Sequence, residues 1–219
     1  LVKPLICVPL TKFEDLSKIN EYDVDLVEVR IDMLGSNWCD VVSSLKVPWI
    51  ACNRRGDELG LWRGDEFSRV MELFKAVELG ASFVDIELST VNVESVLSRL
   101  KGLGVKVIVS KHITTHTPSL EELKVIVKEM IDLGADVWKV VTKANDIRDN
   151  LVVLQLIKEF RVPGISLAMG DLGVISRVLS PLVGGFLTYA SVSKGSESAP
   201  GQLTLHELKS IYRLLGVDV

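Results

Sequence analysis

The chain has 219 residues, 47% hydrophobic and 25% charged, and its formal net charge is -4. That composition suits a folded globular protein and excludes a disordered one. It also argues against nucleic-acid binding, which needs a basic face.

The first apolar run, Leu5–Leu10, predicts a strand, and Leu26–Ile31 and Trp49–Asn53 predict two more. Asp65–Glu78 carries Phe67, Val70, Met71, Phe74 and Val77 at helical spacing and stops at Gly80, a C-cap residue type. A strand over Phe83–Leu88, a helix over Val93–Leu100 and a strand over Val105–His112 follow. Thr117-Pro118-Ser119 supplies an N-cap for a helix over Ser119–Leu133, with Glu122 as capping-box partner. Val137–Thr142, Gly164–Met169 and Gly185–Ala190 read as the last strands, with helices at Ile147–Phe160 and Leu203–Leu215.

Most of the strand runs are continuously apolar, which marks parallel strands covered on both faces. The junction Leu79-Gly80-Ala81 recurs as Leu133-Gly134-Ala135, and Leu103-Gly104-Val105 varies it. Eight β/α units predict an α/β fold, a (β/α)8 TIM barrel, as a single domain over residues 1–219. The runner-up is an open doubly wound sheet, but Leu10-Thr11-Lys12-Phe13 lacks the glycine-rich loop expected after its first strand. Cys7, Cys39 and Cys52 show no metal-ligand spacing, so neither zinc nor a disulfide framework is expected. No signal peptide and no run long enough to span a bilayer is evident, so the expectation is a cytoplasmic protein without a membrane partner.

A TIM barrel keeps its site at the C-terminal ends of the strands. Lys139 lies inside the apolar run Val137–Val141. Burial disfavours an ammonium, and a neutral amine in a dry pocket attacks carbonyls. The plain alternative is a lysine reaching solvent from a strand end. If Lys139 is a buried amine, Lys139→Ala should leave the fold intact or even stabilise it.

Glu28 and Arg30 are two residues apart on one strand, so they share a face and should pair, in the site or as a structural plug. Arg54 and Glu58 follow strand three. Asp85 and Glu87 share a face of strand four and need cations, for which Lys106 is a candidate. His112 ends strand five, where a barrel presents acid–base groups, whereas His116 lies in a loop and His206 on the last helix. Beyond strand seven, Arg177 follows a glycine-containing turn, and its planar fork suits a carboxylate or phosphate. The small, polar stretch Ser191–Gln202 after strand eight is a lid candidate.

Together these blocks resemble the type I 3-dehydroquinate dehydratases. The match runs from Ile6-Cys7-Val8-Pro9-Leu10 through Asp25–Asp32, Ser110-Lys111-His112, Gly134–Lys139 and Met169–Arg177 to Ser198-Ala199-Pro200-Gly201-Gln202. The resemblance implies dehydration of 3-dehydroquinate to 3-dehydroshikimate through an imine on Lys139. It further implies His112 as general acid and base, oriented by Glu58. Arg177, Ser198 and Gln202 would hold the substrate carboxylate, while Glu28, Arg30 and Arg54 hold the ring hydroxyls. No metal and no cofactor is implied, and the expected assembly is a homodimer. The chain departs from the family pattern at Lys111, where many relatives carry an aromatic residue. Lys143, a second lysine after the reactive one, should lie beyond the strand end. A Schiff-base aldolase and a catalytically silent barrel that binds a small acid are the alternatives.

Overall fold

Short apolar strands cannot bury two faces alone; they need neighbours in the sheet and helices outside it. A computed structural model describes residues 3–219 and provides both. The strands are β1 (Ile6–Leu10), β2 (Leu26–Arg30), β3 (Trp49–Cys52), β4 (Phe83–Glu87), β5 (Lys106–His112), β6 (Val137–Lys143), β7 (Gly164–Met169) and β8 (Thr188–Tyr189). All pairings are parallel, in the order β7-β6-β5-β4-β3-β2-β1-β8. A backbone bond from Phe186 N to Gly164 O (2.8 Å) draws the β8 and β7 edges together, and the result is a nearly closed (β/α)8 barrel.

The helices are α1 (Leu16–Glu21), α2 (Ile31–Leu34), α3 (Cys39–Val42), α4 (Glu66–Glu78), α5 (Val93–Gly102), α6 (Leu120–Asp132), α7 (Asp149–Leu156), α8 (Val174–Leu179) and α9 (Leu205–Leu214). The capping box at Ser119 and Glu122 forms as expected, and Thr204 with Glu207 makes a second one at α9. The α1, α2, α3 and α8 segments are too short to show a helical period, so the sequence reading missed them. The expected helix over 147–160 is α7 plus a 3-10 turn, Ile157–Glu159.

β8 is also shorter than expected. Gly185 N bonds Ser180 O at 2.8 Å in a tight turn where an added Cβ would lie 2.5 Å from Ser180 Oγ, so pairing starts late.

Alternation along the strands sorts the side chains into two cores. Val27, Val29, Val84, Ile86, Val109, Trp138 and Val140 point outward and pack under the helices. Cys7, Leu26, Ile50, Ile108, Val137, Ile165 and Leu187 fill the barrel floor. Two residues further along the same strands the inward positions become Glu28, Cys52, Asp85, Ser110 and Lys139. The apolar floor shields these groups from water at one end and leaves a polar cavity at the other.

Candidate active site

Each inward position after the floor belongs to a strand end, so the site is assembled by the period-two geometry of the barrel. The cavity opens at the C-terminal ends of the strands. It is lined by Glu28, Arg30, Arg54, Glu58, His112, Lys139, Arg177, Ser198 and Gln202. Those are the nine residues to which the resemblance assigns a role, now in one place. Leu59, Val141, Leu167, Met169, Tyr189 and Ala199 complete the wall.

Lys139 is only 3% exposed, so it does not reach out to solvent. Its Nζ donates to Asp85 Oδ2 at 2.7 Å, Tyr189 OH at 3.0 Å and Glu28 Oε2 at 3.4 Å. Burial pushes its pKa down, but Asp85 and then Glu28 outweigh burial and the opposing Arg54, so the net shift is upward. The resting group is therefore an ammonium, a balance of burial against acids that the sequence left open.

Two further expectations fail for geometric reasons. Arg30 does not pair with Glu28. Asp32 opens the helical turn after β2 and takes the guanidinium at 2.9 and 2.7 Å, while Glu28 goes to Lys139. Lys106, at the floor end of β5, is exposed and lies over the Phe83 ring at 5.7 Å. The cations for strand four come from elsewhere: Arg54 reaches Asp85 (2.8 Å) and Glu87 (3.0 Å), and Arg69 from α4 reaches Glu87 (2.7 Å). Ser110 Oγ donates to Asp85 Oδ1 at 2.6 Å and fixes that carboxylate. The Glu28, Cys52 and Asp85 ligand atoms lie within 4.8 Å of one another, a spacing that would suit a metal ion. Lys139 bonds both of those carboxylates, and Arg54 meets Asp85 and Cys52, so an added cation would face two fixed ones.

Glu58 sits in the 3-10 turn Gly56–Glu58 after β3 and is 2% exposed. Its Oε2 accepts from His112 N (2.8 Å) and meets His112 Nδ1 (3.0 Å); Oε1 accepts from Lys111 Nζ (3.2 Å) and Ser89 Oγ (3.3 Å). Burial raises the pKa of Glu58, but the His112 bonds and Arg54 outweigh it and bring it to about 2. An ionised acceptor at Nδ1 assigns the proton there and leaves Nε2 with its lone pair. Burial, and then the Arg54 and Lys139 charges, lower the His112 pKa to about 3 against the opposing pull of Glu58, so the ring is neutral near pH 7. Lys111, the departure from the family pattern, thus becomes a partner of the acid that holds the histidine.

Arg177 is carried by α8, a helix the sequence reading did not foresee. It is 3% exposed and has no carboxylate partner among the described residues; Nη2 donates to Pro200 O at 3.1 Å and Nε has no acceptor. Burial lowers its pKa to about 10. Gln202 Oε1 accepts from Ser198 N (2.8 Å) and from Ser198 Oγ (3.4 Å), while its buried Nε2 is unpartnered. A buried cation and an idle amide donor on one cavity wall form a site for an anion.

The 191–202 segment closes over this wall, with Lys12 Nζ holding Gly195 O at 2.6 Å and Gly170 N donating to Pro200 O at 3.0 Å. Gly201 is required by contact and conformation: its φ is +75°, and a Cβ would lie 2.2 Å from Gly170 O. Lys143 is the last residue of β6 rather than beyond it, and its Nζ lies beside Gly170, away from the cavity lining.

Tyr189 and Asp85 were not marked as site residues from the sequence. A tyrosine two residues beyond Leu187 on a barrel strand is inward by alternation, and that signal was available.

Comparison with known proteins bears on the family and the fold. The family described as type I 3-dehydroquinase matches residues 6–219. A 3-dehydroquinate dehydratase of Dehalococcoides mccartyi is 40% identical over 214 residues, 96% of this chain and 95% of its own. The Methanocaldococcus jannaschii 3-dehydroquinate dehydratase is 37% identical over 219 residues, 96% of this chain and 99% of its own. Among solved structures, the Clostridium difficile type I 3-dehydroquinate dehydratase with covalent modified comenic acid superposes with a TM-score of 0.86 at 26% identity, covering 99% of this chain and 94% of that one. With the match extending over nearly its whole length, the chain belongs to the type I 3-dehydroquinase family.

Proposed function

We propose that this chain is a 3-dehydroquinate dehydratase, a hydro-lyase that removes water from 3-dehydroquinate through an imine on Lys139 to give 3-dehydroshikimate. The observation that carries the reading is a buried lysine sharing a cavity with a neutral, Glu58-tethered histidine and an arginine without a carboxylate partner. Arg177, the Gln202 amide and Ser198 hold the substrate carboxylate. Arg30, Arg54 and Glu28 face the ring hydroxyls.

The Lys139 ammonium gives up one proton to His112 Nε2, and its nitrogen adds to the ketone carbon. The resulting carbinolamine loses its oxygen as water, with the proton delivered by His112, and an iminium remains. The iminium withdraws electrons from the adjacent carbon, so His112 Nε2 removes a proton there and an enamine forms. The enamine electron pair re-forms the iminium as the neighbouring C–O bond breaks, and His112 returns its proton to the leaving hydroxyl. Removal and return by one imidazole keep both events on one face, a syn elimination. Water then releases the product and restores Lys139. No cofactor is required, because the iminium is the electron sink.

A Schiff-base aldolase would share the lysine, but Arg177 and Gln202 suit a carboxylate better than a sugar phosphate. The reading extends to one catalytic domain over residues 1–219, working in the cytoplasm as a homodimer. Among the described residues no helix is long and apolar enough to cross a membrane. Half-exposed Ile147, Leu151, Leu172 and Ile175 on and around the neighbouring α7 and α8 are apolar surface of the kind a second copy would cover.

Incubation with 3-dehydroquinate, reduction with borohydride and peptide mapping test the chemistry. An adduct on Lys139 is expected. No adduct on a folded protein sinks the proposal.

A further inference from the structure

Of the three oxygens around the Lys139 amine among the described residues, those of Asp85 and Tyr189 have no part in the mechanism above. The Tyr189 hydroxyl is 3.0 Å from Nζ, and its ring centroid is 4.6 Å away. Tyr189 is 6% exposed and faces the cavity from β8, the strand that closes the barrel. Asp85, by contrast, lies beneath Lys139 and does not line the cavity.

We propose that Tyr189 is a further catalytic residue, whose hydroxyl holds the Lys139 nitrogen at the cavity wall and sets its affinity for the proton it must lose. This rests on the Schiff-base reading. An ammonium has three N–H groups, and Asp85, Glu28 and Tyr189 accept one each. Bonds to the two carboxylates are charge-assisted and strong, whereas the phenol is a neutral acceptor and the weakest of the three. The N–H directed at Tyr189 is therefore the one most readily surrendered, and the lone pair it leaves lies on the side of the nitrogen that faces the cavity wall. Burial, and then Glu28, hold the phenol pKa far above its ordinary value, so Tyr189 stays neutral and does not take the proton itself.

The charged and titratable groups around Nζ come from every side. They are Cys7 on β1, Glu28 on β2, Cys52 on β3 with Arg54 after it, Asp85 on β4, His112 on β5 and Tyr189 on β8. β7 contributes only the apolar Leu167 and Met169 to this wall. Replacing one neutral acceptor leaves every other charge in place.

Tyr189→Phe keeps the ring and removes the hydroxyl. The rate of imine formation, measured by borohydride trapping across pH, rises as Lys139 loses its proton. Loss of an acceptor destabilises the ammonium, so that limb moves to lower pH. The expected change in proton affinity is roughly three- to tenfold, the scale of one neutral hydrogen bond. The plateau of kcat falls about threefold, a loss of positioning on the same scale, while KM stays within about twofold. A limb that stays in place overturns the inference, whether activity is unchanged or uniformly lowered, since uniform loss marks packing alone. If wild type itself traps no adduct, the Schiff-base reading falls and this inference with it. An adduct in wild type and an identical pH profile in the variant remove only the role of Tyr189.

Discussion

Replacing Lys139 by methionine isolates its charge, because the volume is nearly kept and the cavity cost is small. In the folded protein its ammonium is 2.7 Å from Asp85 and 3.4 Å from Glu28, and all three side chains are at most 4% exposed. Without it, Asp85 still has Arg54 at 2.8 Å, but Glu28 loses the cation that neutralised it. Breaking a buried ion pair from one side costs about 3–5 kcal/mol. Proton uptake caps that figure: neutralising an ordinary glutamate at pH 7 costs about 3.7 kcal/mol, and at pH 5 about 1 kcal/mol. The folded variant then binds a proton that the unfolded chain does not, so its stability falls as pH rises from 5 to 7. Urea unfolding at both pH values reads the difference, and the melting temperature at pH 7 should drop by about 7–15 °C. Sequence alone led to the opposite expectation, that removing a buried amine is neutral or stabilising. A variant at least as stable as wild type at pH 7, or an equal deficit at pH 5 and 7, would refute the argument.

Two other outcomes follow from the same site. The folded-state pKa of His112 is about 3, below the ordinary histidine value, so its contribution is full above the unfolded pKa of about 6.5 and is lost as pH falls toward 3. Denaturant titrations of wild type and His112→Asn between pH 7 and 4 should differ in slope by up to one proton, and parallel curves would contradict the neutral ring. Gly201→Ala forces a left-handed backbone on a residue with a Cβ and drives that atom into Gly170 O. A backbone cost of about 1–2 kcal/mol, before any clash, should raise KM roughly tenfold by unseating Pro200 from Arg177, with little change in melting temperature. An unaltered KM would show that the lid tolerates the shift.

The sequence alone determined the barrel and the chemistry it could host. Continuous apolar runs between helical stretches specify parallel strands because both faces must be buried, and that information is local. Lys139, His112 and Arg177 were legible for a related reason: ionisable groups at strand ends or just beyond them stand out against that pattern. The short α1, α2, α3 and α8 were not legible, because fewer than two turns carry no period. The partners of each charge were not legible either. Arg30 chooses Asp32 over Glu28, and Asp85 meets Lys139 and Arg54 rather than Lys106, because these choices depend on register between strands and on where a turn aims one carboxylate. The same holds for the protonation of Lys139. Burial is visible in the chain, but the two acids and the phenol that oppose it arrive from β2, β4 and β8, and only the closed barrel brings them to within 3.4 Å of one nitrogen.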